Sequence, residues 1–171
     1  MSLSAARPLD PWRWLATPAL IAAAATVLFA APIRVFGLPL PEPVFAVVPA
    51  FAWAVIRPSI LAPFCVLLLG LFLDVFWGGP LGLWALSLLL TYAMALSLRS
   101  MMSGQSRVMM WAWYASAVAL SLLGGYLFTM LDSLAMPSLI AVLWQFLATA
   151  LLFPFAQSLI DRFEDADVRF R

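Results

Sequence analysis

Histidine and lysine are absent from this sequence, and cysteine occurs only once, at Cys65. Histidine is the commonest metal ligand and general base in proteins, so its absence argues against a metalloenzyme and against a hydrolase with a histidine base. A single cysteine excludes a disulfide bond within the chain. No Walker loop, HExxH or Ser-x-x-Lys motif occurs either. We therefore expect no metal ion, no cofactor and no catalytic residue.

Charge is also scarce, since only 10% of the 171 residues are charged while 65% are hydrophobic. The net charge is +1 and all nine basic residues are arginine, which argues against nucleic acid as a partner. Such a composition is typical of an integral membrane protein surrounded by the lipid bilayer. We expect a single domain over residues 1–171, an all-α polytopic membrane bundle of about six transmembrane helices at roughly 20 residues each.

Apolar runs separated by prolines, glycines and arginines locate the expected helices. The start of the chain lacks the cleavage site of a signal peptide, and we expect none to be removed. The spans are expected at 14–33, 44–56, 59–77, 80–98, 108–131 and 137–160, followed by a charged cytoplasmic tail at 161–171. The run 44–56 is shorter than the ~20 residues of a perpendicular span, so it is either a short crossing helix or a re-entrant segment.

The arginines predict the orientation, because positive charge in short loops stays cytoplasmic. With six spans and a cytoplasmic amino terminus, eight of the nine arginines lie inside and only Arg34 lies outside. The better five-span arrangement places seven inside, with Arg7 and Arg13 outside. The count favours six spans with both termini cytoplasmic. It also places residues 78–80 and Asp132 together on the far side of the membrane.

The chain is organised around residues 70–86, where one carboxylate, Asp74, stands in an otherwise uncharged apolar run. An ionised side chain at membrane depth costs several kcal/mol unless a partner receives it. Gly70 and Gly78 lie four residues to either side, on a helix stripe with little side-chain bulk where another helix can approach. Asp74 should therefore face protein. Gly78-Gly79-Pro80 should end the helix and begin the next one, giving a helical hairpin.

The pattern Gly70-x-x-x-Asp74-x-x-x-Gly-Gly-Pro-Leu-Gly-x-x-Ala-Leu occurs together with an early proline-rich loop and a final Leu-Leu-Phe-Pro. In this combination the chain resembles the bacterial rod shape-determining protein MreD family. The resemblance implies a non-enzymatic inner-membrane scaffold of the cell-elongation complex that supports lateral peptidoglycan synthesis. It implies as partners the single-span protein MreC, the MreB filament and the wall-synthesising glycosyltransferase and transpeptidase. It also implies a fold similar to the S components of energy-coupling-factor transporters.

The candidate partner-binding or bundle-interface residues are Gly70, Asp74, Gly78, Gly79, Pro80, Gly82 and Asp132. Asp74 either contacts a partner or ligand, or it caps the glycine turn and bonds within the bundle. If its role is geometric, Asp74→Asn should retain much of the activity and Asp74→Leu should lose it. Gly70 and Gly82 should not tolerate bulk, because helices gain packing energy only where backbones approach.

Other polar groups lie on faces that should point inward. Ser121, Gly125, Thr129 and Asp132 share one helix face, and Gln145 and Thr149 lie one turn apart. We expect interhelical hydrogen bonds from the hydroxyl and amide groups, and Asp132 is either hydrated or the second member of an acid pair with Asp74. The alternative function, a vitamin-binding S component, requires a polar aromatic pocket. It would be furnished by Trp77, Trp84, Tyr126 and Asp132.

Overall fold

Helices make up almost all of the chain that the structure describes. The computed structural model covers residues 12–30, 34–35, 38–39, 42–57, 59–133 and 138–168, without the side chains of 12, 34–39, 132–133 and 164–168. The helices are α1 (Thr17–Phe29, after a π-helical turn Trp12–Ala16), α2 (Val47–Ile56), α3 (Leu61–Trp77), α4 (Leu83–Met102), α5 (Arg107–Ser133), α6 (Leu139–Ala150) and α7 (Phe153–Val168). Two short antiparallel strands, β1 (Arg34–Val35) and β2 (Leu38–Pro39), lie in the proline-rich region, where no helix was expected.

Three segments are long and apolar enough to cross a membrane: Leu83–Met102, Arg107–Leu131 and Leu139–Phe163. The other apolar helices are shorter. At 1.5 Å per residue, the 17 residues of α3 measure about 25 Å and the 10 residues of α2 about 15 Å, against a hydrocarbon layer of about 30 Å. The fold is therefore a membrane helical bundle, while the helix lengths support three full spans and do not confirm six.

Two expected spans differ from the observed helices. The first helix ends at Phe29 and does not reach residue 33. The last expected span, 137–160, is two helices separated at Leu151–Leu152, because Pro154 has no N–H and its ring excludes an unbroken helix through residue 150. The second of these, α7, continues to Val168, so the tail expected from residue 161 begins as helix.

Helix α2 forms the centre of the bundle. All of its residues are buried or half-buried, and it packs against α1, α3, α4, α5 and α7. The ring of Phe51 meets that of Tyr114 edge to face, with centroids 5.3 Å apart. The indole N–H of Trp53 donates to the carbonyl oxygen of Trp14 at 2.8 Å. The short second run of the sequence is thus neither lipid-facing nor peripheral, because other helices cover every side of it.

The carboxyl end of α2 is held by Arg99, from the last turn of α4. Its Nε donates to the carbonyl oxygen of Val55 at 2.7 Å, and its Nη2 donates to that of Ile56 at 3.0 Å. The last carbonyls of a helix have no partner within the helix, and they carry its negative dipole end. The half-buried guanidinium of Arg99 satisfies both requirements.

The residues that lead into α2 are not helical, and α6 supplies their partners. The N–H of Val44 donates to the hydroxyl of Thr149 at 3.0 Å, and the amide of Gln145 donates to the carbonyl oxygen of Glu42 at 3.2 Å. Irregular backbone at membrane depth is tolerated only where protein or a water-filled cavity provides partners. Gln145 and Thr149 therefore join α6 to the non-helical segment before α2, whereas the sequence predicted hydrogen bonds between helices.

The break between α6 and α7 leaves carbonyl groups exposed to the bundle interior. The hydroxyl of Tyr114 donates to the carbonyl oxygen of Thr149 at 3.2 Å, and the indole N–H of Trp111 donates to that of Ala150 at 3.3 Å. Both donors lie on α5. The carbonyl freed by Pro154 is thus bound by a neighbouring helix, which fixes α5 against the break.

The contact between α4 and α5 is made by small residues. Ser121 and Gly125 of α5 are buried, as their helical spacing predicted, but the expected interhelical bond of Ser121 is wrong, because its hydroxyl has no hydrogen-bond partner among the described residues. A Cβ atom added to Gly124 would lie 3.2 Å from the hydroxyl oxygen of Ser87 on α4. Small side chains permit this approach, which is the usual packing mode of helices in membranes.

Candidate functional site: the Asp74 hairpin

Residues 70–86, which we call the Asp74 hairpin, join the end of α3 to the start of α4. Helix α3 ends because Gly78 takes a left-handed conformation with φ of 65°, which glycine adopts without steric cost. The N–H groups of Gly78 and Gly79 both donate to the backbone carbonyl of Asp74, the second at 3.1 Å. The backbone of Asp74 therefore closes α3.

The side chain of Asp74 begins α4. Its Oδ2 accepts from the N–H of Gly82 at 2.8 Å, and its Oδ1 accepts from the N–H of Trp84 at 2.7 Å. Gly82 precedes the first residue of α4 and Trp84 is its second, so the carboxylate occupies the position of an N-terminal cap. No side chain of the turn itself caps α4. One residue thus ends one helix and starts the next.

This placement explains how a carboxylate is accommodated in an apolar bundle. Asp74 is only 1% exposed, and each of its oxygens accepts a hydrogen bond from a backbone donor. Bonds from N–H groups to an ionised carboxylate are shorter and stronger than those between neutral groups, and the positive dipole end of α4 adds to them. The sequence left two roles open for Asp74, and the geometry places it in the second, bonding within the hairpin.

Gly70 makes the closest helix contact in the hairpin. A Cβ atom built on it would lie 2.5 Å from the amide nitrogen of Ala85 and closer still to its Cα. Both atoms belong to the backbone of α4, so no rotamer change relieves the overlap. The absence of a side chain at residue 70 is therefore what brings α3 near enough for Asp74, one turn later, to reach the end of α4.

The other glycines of the hairpin act through conformation. Gly78 and Gly79 lie exposed in the turn, not on a buried stripe, and a Cβ atom on either meets nothing within 4 Å. Gly82 also has open space around it, so the expected intolerance of bulk is wrong as a steric argument; its φ of 99° is what favours glycine. Pro80 lies three residues before α4, outside its first turn, because the helix begins only where Asp74 caps it.

The far end of α5 lies beside the hairpin. Phe128 and Leu131 share a cleft of about 310 Å³ with residues 80–83 and Leu86. The backbone of Asp132 follows directly in α5, while its side chain lies outside the described residues, so the acid pair with Asp74 stays a hypothesis. The cleft itself is lined by apolar side chains and glycine backbone. The rings of Trp77 and Trp84, considered above for a vitamin pocket, pack on each other with centroids 5.0 Å apart.

Sequence reasoning missed Arg99 as a structural group and treated it only as the marker of a helix exit. An arginine that ends an apolar helix is usual, and nothing in its local sequence indicates that it bonds the end of α2, more than 40 residues earlier. The signal available was the unusual shortness of α2, whose buried carboxyl end requires a donor. Trp84 was likewise considered for its ring, whereas its backbone N–H is what binds Asp74.

The fold and the hairpin define a polytopic membrane helical bundle in which a buried carboxylate joins two consecutive helices. Comparison with protein-family models, with curated proteins and with solved structures finds no match to the chain. A functional assignment therefore rests on the residues of this chain and on their contacts.

Gly70→Ala should destabilise the protein, because the added methyl group overlaps backbone atoms of α4 and forces α3 away. We expect a loss of about 1–3 kcal/mol or more, the cost of overpacking, measured as a lower unfolding temperature in detergent and a lower yield of monodisperse protein. Gly79→Ala, in the open part of the same hairpin, is the matched control and should behave like the wild type. Equal stability of both variants would contradict the close contact.

Asp74→Asn should be intermediate between the wild type and Asp74→Leu in thermal unfolding. An amide keeps one acceptor oxygen but turns an NH2 group toward the second backbone donor, and an unpaired buried donor costs about 1–3 kcal/mol. Leucine leaves both donors unpaired. Asp161→Asn removes an exposed charge and should change little. If Asp74→Asn matched the wild type, the second hydrogen bond would have no energetic role.

Proposed function

We propose that the protein is a non-enzymatic inner-membrane scaffold of the MreD type, which maintains rod shape as part of the cell-elongation complex. One observation carries the proposal: residues of the pattern on which the resemblance rests lie at the contact between α3 and α4, where Gly70 approaches the backbone of Ala85 and Asp74 accepts from the N–H of Gly82. A shared pattern whose members hold two helices together is a sound basis for a shared architecture. The function itself comes from the resemblance.

The position of Asp74 supports a structural role over a catalytic one. A general acid or base needs a free path to substrate, whereas both oxygens of this buried carboxylate accept from backbone donors. The proposed partners are an MreC-like single-span protein bound in the membrane, and through the complex an MreB-like filament and the wall-synthesising glycosyltransferase and transpeptidase.

A vitamin-binding S component is the alternative function, and the hairpin end of the bundle argues against it. The cleft there is lined by apolar side chains and by glycine and proline backbone. Trp77 and Trp84, two of the residues proposed for a vitamin pocket, pack against each other instead. Small-molecule sites combine an apolar wall with a few converging polar groups, and the described part of this cleft contributes no polar side chain.

We also propose that both termini are cytoplasmic. This topology requires that α2, together with the non-helical residues before it, crosses the membrane. A reporter active only in the cytoplasm should give signal when fused after Arg7 and after Arg171, because arginines in short loops stay inside. The same reporter inserted after Gly79 should be silent. Signal from only one terminus would mean an odd number of crossings and would eliminate this topology.

The scaffold role predicts a stable complex. An MreC-like protein should co-purify with the wild-type chain at stoichiometric level, and the wild-type gene should restore rod shape in a strain that lacks it. Gly79→Ala should preserve both, whereas Gly70→Ala should weaken both in proportion to its loss of folded protein. Co-purification of an ATPase pair with a bound vitamin, and no MreC-like protein, would reject the scaffold in favour of the transporter component.

A further inference from the structure

A second polar feature lies at the opposite end of α4 from the hairpin. There the exposed turn between α4 and α5 and the inner faces of α2 and α7 border a half-open cavity of about 430 Å³, which we call the arginine cavity. Its lining combines two arginines, two glutamines and a serine with apolar groups: Val55, Arg99, Met102, Ser103, Gly104, Gln105, Arg107, Met110, Gln157 and Ile160. Among the side chains that the structure describes, no acidic one lines the cavity, so its two arginines have no counter-ion in the described part of its walls.

Arg99 is held in place and still has donors to offer. Its Nε and Nη2 are bound to the carbonyl oxygens of Val55 and Ile56, which fixes the plane of the guanidinium. A guanidinium has five N–H donors, so those not used on α2 are available to an acceptor in the cavity. A pre-oriented fork of this kind suits the oxygens of a phosphate group, which accept in pairs.

Arg107 provides the second positive charge from the first turn of α5. That helix begins after Ser106, whose hydroxyl accepts from the N–H of Met109 at 3.4 Å, and its first turn contains no acidic residue. The positive dipole end of α5 therefore adds to the charge of the two arginines. On the α7 side, the amide of Gln157 donates to the exposed acid Asp161, which does not line the cavity.

We propose that the arginine cavity binds the phosphate of an anionic phospholipid headgroup. Two arginines and a helix amino terminus converge on a space whose volume lies within the roughly 300–1,000 Å³ of small-molecule sites. The cavity lies where the long apolar helices α4 and α5 meet in a polar turn, so its mouth is at the depth of lipid headgroups. Basic pockets between membrane helices bind such headgroups. Lipid binding here does not depend on the scaffold role.

Native mass spectrometry of the purified full chain in a neutral detergent tests the site. With added phosphatidylglycerol we expect one retained lipid per chain, bound at least about tenfold more tightly than phosphatidylcholine, whose headgroup carries no net charge. Arg107→Gln should weaken retention by about tenfold, because one charge-assisted contact is lost. Arg57→Gln removes an exposed arginine at the end of α2 that does not line the cavity, and it should bind like the wild type.

The outcomes separate two sources of the phosphate. Displacement of the lipid by excess glycerol phosphate would assign the site to a soluble phosphate compound, whereas persistence of the lipid would support the membrane as its source. Equal weakening in Arg107→Gln and Arg57→Gln would reveal general attraction to a basic surface and would overturn the proposal. Circular dichroism checks that both variants retain the helix content of the wild type. Loss of lipid binding with MreC-like co-purification intact would remove this inference and leave the scaffold proposal standing.

Discussion

The two hydrogen bonds from the backbone of Gly82 and Trp84 to Asp74 are the interaction on which the hairpin depends. A membrane helix normally ends where water or headgroups satisfy its terminal N–H groups. Here the turn before α4 is exposed, but the N–H groups of Gly82 and Trp84 are partly buried, and the side chain of Asp74 is their acceptor. The two N–H donors stabilise the buried carboxylate, and the carboxylate in turn satisfies the two donors. A buried carboxylate without donors, or buried N–H groups without an acceptor, would destabilise an apolar bundle.

The same constraint recurs wherever a helix is short or broken. Arg99 binds the last carbonyls of α2, Thr149 binds the N–H of Val44, and aromatic donors of α5 bind the carbonyls freed at the break before Pro154. Each of these groups joins helices that are distant in sequence. These polar residues thus complete the hydrogen bonding of the backbone, which allows a ten-residue helix to occupy the centre of the bundle.

This architecture has consequences for function. The carboxylate of Asp74 and the guanidinium of Arg99 are hydrogen-bonded to backbone groups, whereas the buried indole N–H of Trp77 and the buried hydroxyl of Ser87 have no hydrogen-bond partner among the described residues. A scaffold requires a rigid body with defined surfaces. Hydrogen bonds between segments that are distant in sequence provide this rigidity with few charged residues. The same arginine that completes α2 also borders the cavity. Stability and the proposed lipid site are therefore coupled through Arg99.

The sequence by itself determined the membrane class, the inward orientation of Asp74, the turn at Gly78 and the role of Gln145 and Thr149 in hydrogen bonds beyond their own helix. These features come from composition, from the cost of buried charge and from helical spacing, all of which are local. Only the tertiary structure decided that Asp74 caps α4, that Gly70 contacts the backbone of Ala85 and that Arg99 closes α2. Every residue except proline carries an N–H and every residue carries a C=O. The sequence therefore does not show which few of these groups have no hydrogen-bond partner within their own helix. Which groups are left unpaired depends on where helices end in space, and the packing of the whole bundle sets that.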